Sequence, residues 1–222
     1  LPGLPVYLHG IDGPAMFVRV IDRDVILARS DVATNPVAMI CARPEPDGSG
    51  CNYSNFATVT SLAGPINVER GFVAVDAWVK AAEYRFVNTH LEQHFPSEDP
   101  LSPGLQAAQA TELSFTLAMN PSPNPDSRLV LAGDINSSAA HAPTGPFEPP
   151  YQQFANGLTI FGTPAFAPMA DTWLLRPGKP KGFTCCEAAD LLNASSEQYE
   201  RIDVVFARPA PIKVKANVMD DE

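Results

Sequence analysis

Polar side chains suited to phosphate chemistry lie at the ends of three predicted strands. His90 ends the run YRFVNTH, Asp134 and Asn136 follow the apolar run RLVLAG, and Asp203 lies near the start of RIDVVF. In an extended chain, residues two apart point the same way, so Asp134 and Asn136 can address one ligand together. A carboxylate beside an amide suits a Mg²⁺ ion, or a phosphate oxygen with its attacking water. These four residues are therefore candidate site residues.

Each of these signals also has a structural interpretation. A histidine at a strand end is more often a hydrogen-bonded structural residue, and Gly-Asp-x-Asn is a common turn in which Asp and Asn bond their own backbone. Asp203, two residues from Arg201, would by default form an ion pair with it. Convergence of His90, Asp134, Asn136 and Asp203 within about 10 Å would separate a site from these alternatives.

The elements that must position these residues can be predicted from hydrophobic patterning. The strand-type runs at 71–79 and 84–90 flank a short polar link and predict a hairpin. Leucine and alanine at helical spacing predict a helix over 104–119, which Pro121 ends, and the apolar run 128–133 predicts a buried strand. Further predicted elements are strands at 24–29, 201–207 and 211–218 and a short helix at 151–158.

Composition narrows the classes of function. Fifteen basic and twenty-five acidic residues give a net charge of −10, so the chain offers no global attraction for a polyanion and phosphate chemistry must be local and metal-assisted. A hydrophobic share of 45% is enough for a sizeable core. No uninterrupted apolar stretch approaches the ~18 residues of a membrane span.

The four cysteines form two pairs along the chain. Cys41 and Cys51 bracket a turn-rich loop of the kind that a disulfide closes in extracytoplasmic proteins, although two buried thiols are the alternative. Cys185 and Cys186 are adjacent. No CxxC motif and no clustered histidines accompany them, which argues against a zinc site. His94, four residues after His90, could form a metal pair on a helix, but it follows a strand and is interpreted as a solvated loop residue, and His141 lies in a loop without ligand spacing.

The ordered combination of motifs resembles a known family. The motifs are VNTHLE at 87–92, GDIN at 133–136, DTW at 171–173, GFTCC at 182–186 and RIDVVF at 201–206. In this order and spacing they resemble the endonuclease/exonuclease/phosphatase superfamily, in particular pancreatic-type deoxyribonucleases and secreted-type bacterial members. The resemblance implies an α+β fold, a four-layer α/β/β/α sandwich in which two mixed β-sheets pack face to face.

The resemblance also implies roles for individual residues. His90 would hydrogen-bond the scissile phosphate or the leaving group, and Asp134 would orient or deprotonate the attacking water. Asn136 would hold a phosphate oxygen, and Asp134 and Asn136 are candidate ligands of Mg²⁺ or another divalent cation such as Mn²⁺ or Ca²⁺. Asp203 would orient a second histidine, and Arg70 is a weaker candidate for a phosphate contact.

Two parts of the family pattern are missing from the sequence. The family's main metal-binding strands should precede Leu1, and its closing Ser-Asp-His should follow Glu222, so residues 1–222 are predicted to be one partial domain. Little turnover is expected from this stretch alone, because catalysis fails when the set of groups is broken.

The predicted function is a metal-dependent phosphoester hydrolase of the nuclease type, with a phosphoester and possibly nucleic acid as substrate. A sphingomyelinase- or phosphatase-type member, a non-catalytic binding member and an α/β domain without a site are the alternatives. The protein is predicted to be a secreted or extracytoplasmic monomer.

Overall fold

The fold is taken from a computed structural model, which describes residues 4–6, 16–18, 23–61, 64–94, 100–178, 181–188, 190 and 192–215. The strands are β1 (Leu4–Val6), β2 (Met16–Val18), β3 (Ala33–Pro36), β4 (Arg43–Pro44), β5 (Cys51–Asn52), β6 (Ala57–Ser61), β7 (Gly64–Val68), β8 (Gly71–Val79), β9 (Ala82–His90), β10 (Arg128–Asp134), β11 (Leu158–Ile160), β12 (Thr163–Phe166), β13 (Ala170–Asp171) and β14 (Asp203–Arg208). The helices are α1 (Ser102–Met119), α2 (Pro150–Asn156) and a 3₁₀ turn at Thr172–Leu175.

Eight of these strands form one mixed sheet. The strand order is β13-β14-β10-β9-β8-β5-β4, and β3 also pairs with β8. β8 and β9 form an antiparallel hairpin, β10 runs parallel to β9, and β14 runs antiparallel to β10. A parallel pair needs a crossover, and the 18-residue helix α1 lies in that connection. The predicted α+β class, hairpin, long helix and strand at 128–133 are therefore confirmed. The prediction that this strand is buried is wrong in part, because within β10 only Leu131 is fully buried.

The two faces of the sheet are covered unequally. One face carries Phe72 and the cross-strand partners Val87, Leu131 and Phe206, which are at most 1% exposed and join the core with Leu113 of α1. On the opposite face, apolar side chains at the alternate positions are half-buried or exposed. These are Val73, Val75, Phe86, Val130 and Val205. The period-2 pattern thus puts one face of the sheet into the core of the described residues.

Helix α1 links the core to the loops that follow the strands. Gln106 Nε2 donates to the backbone carbonyls of Glu92 and Asn136, and Gln109 Oε1 accepts from the Glu92 backbone N–H. Both glutamines are at most 1% exposed. Because buried polar groups are costly unless they are hydrogen-bonded, these contacts fix the two loops against the helix. No helix of the described part of the chain is long and apolar enough to cross a bilayer.

Two strand predictions are wrong. Residues 24–29 form no strand: Leu27 is 91% exposed, and the carbonyl of Val25 accepts a hydrogen bond from the Asn88 side chain rather than from a neighbouring strand. The described part of the second segment, 211–215, is also irregular, and 216–218 lie outside the described residues. Both segments have strand-like composition but no ladder partner within the described structure, so composition alone misled the prediction.

A buried ion pair crosses the core face of the β8–β9 hairpin. Arg85 Nε and Nη2 each donate at 2.8 Å to the carboxylate of Asp76, and Nη1 donates to the carbonyl of Asn120 at the end of α1. The two side chains are 7% and 10% exposed. Since both charges are removed from water, each depends on the other for compensation.

Replacing Asp76 by asparagine should leave the Arg85 charge buried without its counter-ion. We expect the free energy of unfolding to fall by about 3–5 kcal/mol, measured by urea denaturation. The matched control is Asp31→Asn, because the Arg29–Asp31 pair is 81% and 63% exposed and should contribute little. Equal losses in the two variants would show that burial of the pair is not the cause.

Candidate functional site

Strand register places three of the predicted site residues in one row. His90 is the parallel cross-strand partner of Asp134, and Asp134 is the antiparallel partner of Asp203. Directly opposed residues have side chains on the same face, with Cβ atoms about 4.5–5.5 Å apart in an antiparallel pair. His90, Asp134 and Asp203 therefore lie side by side across β9, β10 and β14, on the face opposite the core.

A glycine allows β9 and β10 to pair up to this row. Gly133, next to Asp134, has φ +148°, and a Cβ at this position would lie 1.9 Å from the carbonyl oxygen of Thr89. Asp134 itself is held from both sides, because its carbonyl accepts the Leu91 N–H and the next residue, Ile135, donates to the Ile202 carbonyl. Only glycine fits this close approach, so packing against Thr89 explains why a glycine precedes Asp134.

The side chains at the row are arranged around His90. Arg70 Nη1 lies 2.8 Å from His90 Nδ1, and His90 Nε2 lies 3.6 Å from Asp134 Oδ2. A guanidinium can only donate, so Nδ1 accepts and the proton of the neutral ring is assigned to Nε2, facing the carboxylate. Arg70 Nη2 also lies 4.0 Å from the Glu92 carboxylate. The 3.6 Å separation between His90 Nε2 and Asp134 Oδ2 exceeds a good hydrogen bond.

Asn136 closes the turn behind Asp134. Its backbone N–H donates to Asp134 Oδ1 at 2.8 Å, and its side-chain Nδ2 donates to the Leu91 carbonyl at 2.9 Å. Asn136 has φ +48°, a conformation that asparagine tolerates better than most residues, and it is 8% exposed. One amide hydrogen is thus already committed to the fold, and the backbone bond orients Asp134.

Asp203 is the exposed member of the row. Its backbone N–H donates to Thr184 Oγ1, which also accepts from the Ile202 N–H. The default ion pair between Asp203 and Arg201 does not form, because Arg201 Nη2 instead bonds the carboxylate of Asp171, which is 6% exposed. A buried carboxylate is stabilised more by a charged partner than an exposed carboxylate is, which explains why Arg201 pairs with Asp171 rather than with Asp203.

The surroundings of Asp134 disfavour its charged form. Burial is the largest cause and raises the pKa of this carboxyl above its ordinary 3.8. The neighbouring Asp203 charge raises the pKa further, whereas the Asn136 N–H, His90 and Arg70 act in the opposite direction. A carboxyl with a raised pKa is a better proton acceptor when it is ionised.

The DTW and GFTCC motifs meet in the structure in a way that sequence reasoning missed. Asp171 Oδ1 accepts from the Trp173 N–H, and Asp171 Oδ2 accepts from the Tyr151 hydroxyl at 2.6 Å. Gly182 has φ +61°, and a Cβ there would lie 2.2 Å from the Trp173 ring. These motifs brace the segment that carries Thr184 and are not themselves in the row. Tyr151 gave no recognisable signal in the sequence.

The donor types at the row suit a hard divalent cation. Asp134 and Asp203 offer carboxylate oxygens and Asn136 an amide, and Mg²⁺ binds through one or two carboxylates together with waters and substrate. In the described part of the chain, however, three histidine, cysteine or carboxylate ligand atoms lie within 4.8 Å of one another only at Cys185, Cys186 and Glu200. Among the described residues, the row by itself therefore offers fewer than three such ligand atoms within that distance of one another.

Comparisons with known proteins give structural likeness only. No protein-family model and no curated protein matches the chain. A hairpin-deletion mutant of beta toxin from Staphylococcus aureus is 14% identical, with a TM-score of 0.46 over 69% of this chain and 50% of that chain. Sphingomyelinase C from Streptomyces griseocarneus is 18% identical, with a TM-score of 0.38 over 63% and 42%. Truncated TDP2 from Caenorhabditis elegans is 11% identical, with a TM-score of 0.39 over 80% and 70%.

The chain thus spans half or less of the beta toxin and sphingomyelinase structures that it resembles. Each of these TM-scores lies below 0.5. The likeness therefore assigns the chain no activity.

Alanine at Gly133 should disrupt the junction of β9 and β10. The Cβ clash with the Thr89 carbonyl adds to the strain of a positive φ, so the loss of stability should exceed the ~1 kcal/mol of an ordinary glycine substitution. Gly48→Ala is the matched control, because Gly48 also has a positive φ, +72°, but open space around it. Thermal unfolding of both variants checks this, and equal shifts would contradict the proposed close-approach constraint.

Replacing Asp134 by asparagine should stabilise the metal-free protein at neutral pH. The pKa of Asp134 is higher in the folded protein than the ordinary 3.8, so the carboxyl loses its proton less readily in the folded state than in the unfolded state. Ionisation of Asp134 therefore lowers the free energy of unfolding as the pH rises from below 3.8 through the folded-state pKa. The neutral amide avoids this loss, so the variant should have the higher melting temperature near pH 7, with the difference shrinking toward pH 3. The measurement is thermal unfolding with a chelator present, with Asp31→Asn as control. A difference that is constant with pH would be the contrary result.

Proposed function

We propose that the protein is a metal-dependent phosphoester hydrolase in which water attacks a phosphate in line. The observation that supports this most is the row of His90, Asp134 and Asp203, with Arg70 directly behind His90. It combines a proton acceptor, a neutral N–H donor and a cationic side chain at the ends of adjacent strands. Hydrolysis of a phosphoester needs groups of these three kinds.

Asp134 acts on the water in this proposal. Its Oδ1 is held by the Asn136 N–H, whereas Oδ2 faces His90 Nε2. Oδ2 orients the water and accepts its proton as the new P–O bond forms and the bond to the leaving oxygen breaks. The raised pKa of Asp134 suits this transfer.

His90 acts on the phosphate in this proposal, and Arg70 acts on His90. His90 Nε2–H donates to a phosphate or leaving-group oxygen as negative charge develops on it. Arg70 bonds the far ring nitrogen, Nδ1, which fixes both the ring orientation and the tautomer that leaves the proton on Nε2. Arg70 thus acts through His90 as a positioning residue.

A divalent cation, with Mg²⁺ the first candidate, would be held by Asp134 and Asn136 and would supply charge stabilisation at the phosphate. Asp203 lies beside them and is proposed to orient a second histidine. A Mg²⁺ site also suits a chain of net charge −10, since the chain as a whole does not attract a polyanion.

The finer features of fold and location belong to the same proposal. The half-buried apolar face that carries Val73, Phe86 and Val130 is suited to a second sheet, which would complete a four-layer sandwich in a single domain. The structure joins Cys41 and Cys51 in a disulfide, a feature typical of secreted or extracytoplasmic proteins. The protein is proposed to act as a monomer.

The test is hydrolysis by the natural full-length polypeptide with Mg²⁺. Bis-p-nitrophenyl phosphate reports on phosphodiester cleavage, and DNA and sphingomyelin distinguish a nuclease from a sphingomyelinase. We expect His90→Ala and Asp134→Asn each to lower kcat/KM about 10²–10⁴-fold, whereas Asp31→Asn stays at the wild-type value. Hydrolysis that survives both site substitutions would refute the assignment. Phosphate binding without hydrolysis would favour the non-catalytic alternative.

A further inference from the structure

Two histidine rings stack on one another between the loops that leave the row of His90, Asp134 and Asp203. His94 lies four residues after His90, and His141 lies seven residues after Asp134. The two ring centroids are 4.7 Å apart, and the ring planes differ by 26°. The expectation that His94 is a solvated loop residue is wrong, because its ring is partly buried and packs on His141. The stack joins the loop that follows β9 to the loop that follows β10.

His141 is held in place through both its side chain and its backbone. Its Nε2 lies 2.8 Å from Glu200 Oε2, and Nε2 is the donor because an ionised carboxylate can only accept. Its backbone N–H donates to the Ser138 carbonyl at 3.2 Å, and its carbonyl accepts from Gln152 Nε2 of α2 at 3.0 Å. Its Nδ1 is buried without a hydrogen-bond partner within the described structure. His141 therefore gives His94 a fixed surface to pack on.

His94 is the group in this stack that burial keeps neutral. Burial of the ring is the largest cause that lowers the pKa of His94 below its ordinary 6.5, and the nearby His141 lowers it further. Gln106 of α1 and the Glu200 carboxylate act in the opposite direction. Among the described residues, Nδ1 of His94 and Oε1 of Gln106 are both buried without a hydrogen-bond partner. The loop after β10, the helix α1 and the segment before β14 thus each act on the charge of His94.

We propose that the stack of His94 on His141 is a pH-sensitive latch between the two loops that leave the row, closed when His94 is neutral and opened when His94 is protonated. A neutral imidazole can pack on another ring and leave water at little cost. A protonated imidazole in the same place is a partly buried cation beside a second histidine, so the charged ring is more stable in water than in the stack. Histidine is suited to such a latch because its charge changes near neutral pH.

The position of the latch connects it to the candidate site. Gln106 Nε2 donates to the backbone carbonyls of Glu92 and Asn136, so the same helix residue that acts on His94 also anchors both loops. Opening the stack removes a second link between these loops, while the pairing of β9 with β10 stays intact. The latch does not depend on the proposed hydrolase function. A loss of hydrolysis in weak acid would be its consequence, and this consequence rests on the proposed function.

Titration of the histidine ring protons by NMR between about pH 5 and 8 tests the electrostatics of the latch. The His94 signal is identified by its loss in His94→Gln, and its midpoint in the wild type should lie below 6.5. His141→Asn should move this midpoint upward, because it removes a group that disfavours the charge. Glu200→Gln should move it downward, because it removes a group that favours the charge. Asp31→Asn is the matched control, since it also removes one carboxylate and should leave the midpoint unchanged.

Amide hydrogen exchange tests whether protonation opens the latch. The amides of Glu92 and His141 are bonded within the two loops, to Gln109 Oε1 and to the Ser138 carbonyl. Their protection factors, corrected for the intrinsic effect of pH, should fall in the wild type as the pH drops below the His94 midpoint. They should stay constant in His94→Gln, which carries no charge at any pH. The amide of Leu131, in the strand between β14 and β9, is the internal control and should stay protected.

A His94 midpoint at or above 6.5, a shift opposite to either prediction, or loop protection that does not change in weak acid would overturn the proposal. If His94→Gln does not fold, the wild type alone decides, because only the loop amides and not Leu131 should lose protection at the His94 midpoint. For the natural full-length polypeptide with Mg²⁺, kcat/KM should fall less in weak acid in His94→Gln than in the wild type. Absence of hydrolysis at every pH would refute the proposed function, whereas the NMR and exchange results would still decide the latch.

Discussion

The candidate site depends on the parallel pairing of β9 with β10, continued to its last residue. Parallel strands are joined here by α1, and their register puts His90 beside Asp134 only because Gly133 lets the two backbones meet at Thr89. A side chain at Gly133 would separate the strands at the point where the site begins. The close backbone contact of Gly133 with Thr89 is therefore immediately beside Asp134. As a result, the backbone sets the positions of His90 and Asp134, rather than flexible side chains.

The site is held from behind by uncharged polar groups. Gln106 and Gln109 of α1 bond the backbones of Glu92 and Asn136, so both loops that leave the row are fixed to one rigid helix. Amides are suited to this task because they satisfy buried backbone groups without adding a charge. Of the charged groups, Asp134 is 29% exposed on the face opposite the core, whereas Arg70 is 11% exposed and lies behind His90. Burial of Asp134 disfavours its charged form, and its contacts with the Asn136 N–H and with His90 partly offset this.

Sequence patterning predicted the parts of the fold that local chemistry determines. The β8–β9 hairpin follows from two strand-type runs around a short polar link, and β10 follows from a continuous apolar run. Helix α1 follows from leucine and alanine at helical spacing, and Pro121 marks its end. Residues 24–29 have the same strand-like composition but no ladder partner among the described residues, and a strand needs a partner that the local sequence does not specify. Two side-chain contacts likewise depend on segments that are distant along the chain. Arg70 packs behind His90, and Arg201 pairs with Asp171. The pairing of Arg201 with Asp171 replaces the expected pairing with Asp203.

The difference between local patterning and contacts between distant segments also explains which motifs could be interpreted from the sequence. His90, Asp134 and Asp203 were identifiable because each lies at the end or start of a strand, and strand ends meet at one edge once the sheet forms. Asp171 and Gly182 had a recognisable pattern, but their role is to pack Trp173 and to bind Arg201 and Tyr151. His141 and Glu200 had no pattern, because a loop and an irregular bridge bring them together. Residue type and order can thus indicate a candidate site carried by regular strands, whereas a contact between loops becomes visible only when the chain is folded.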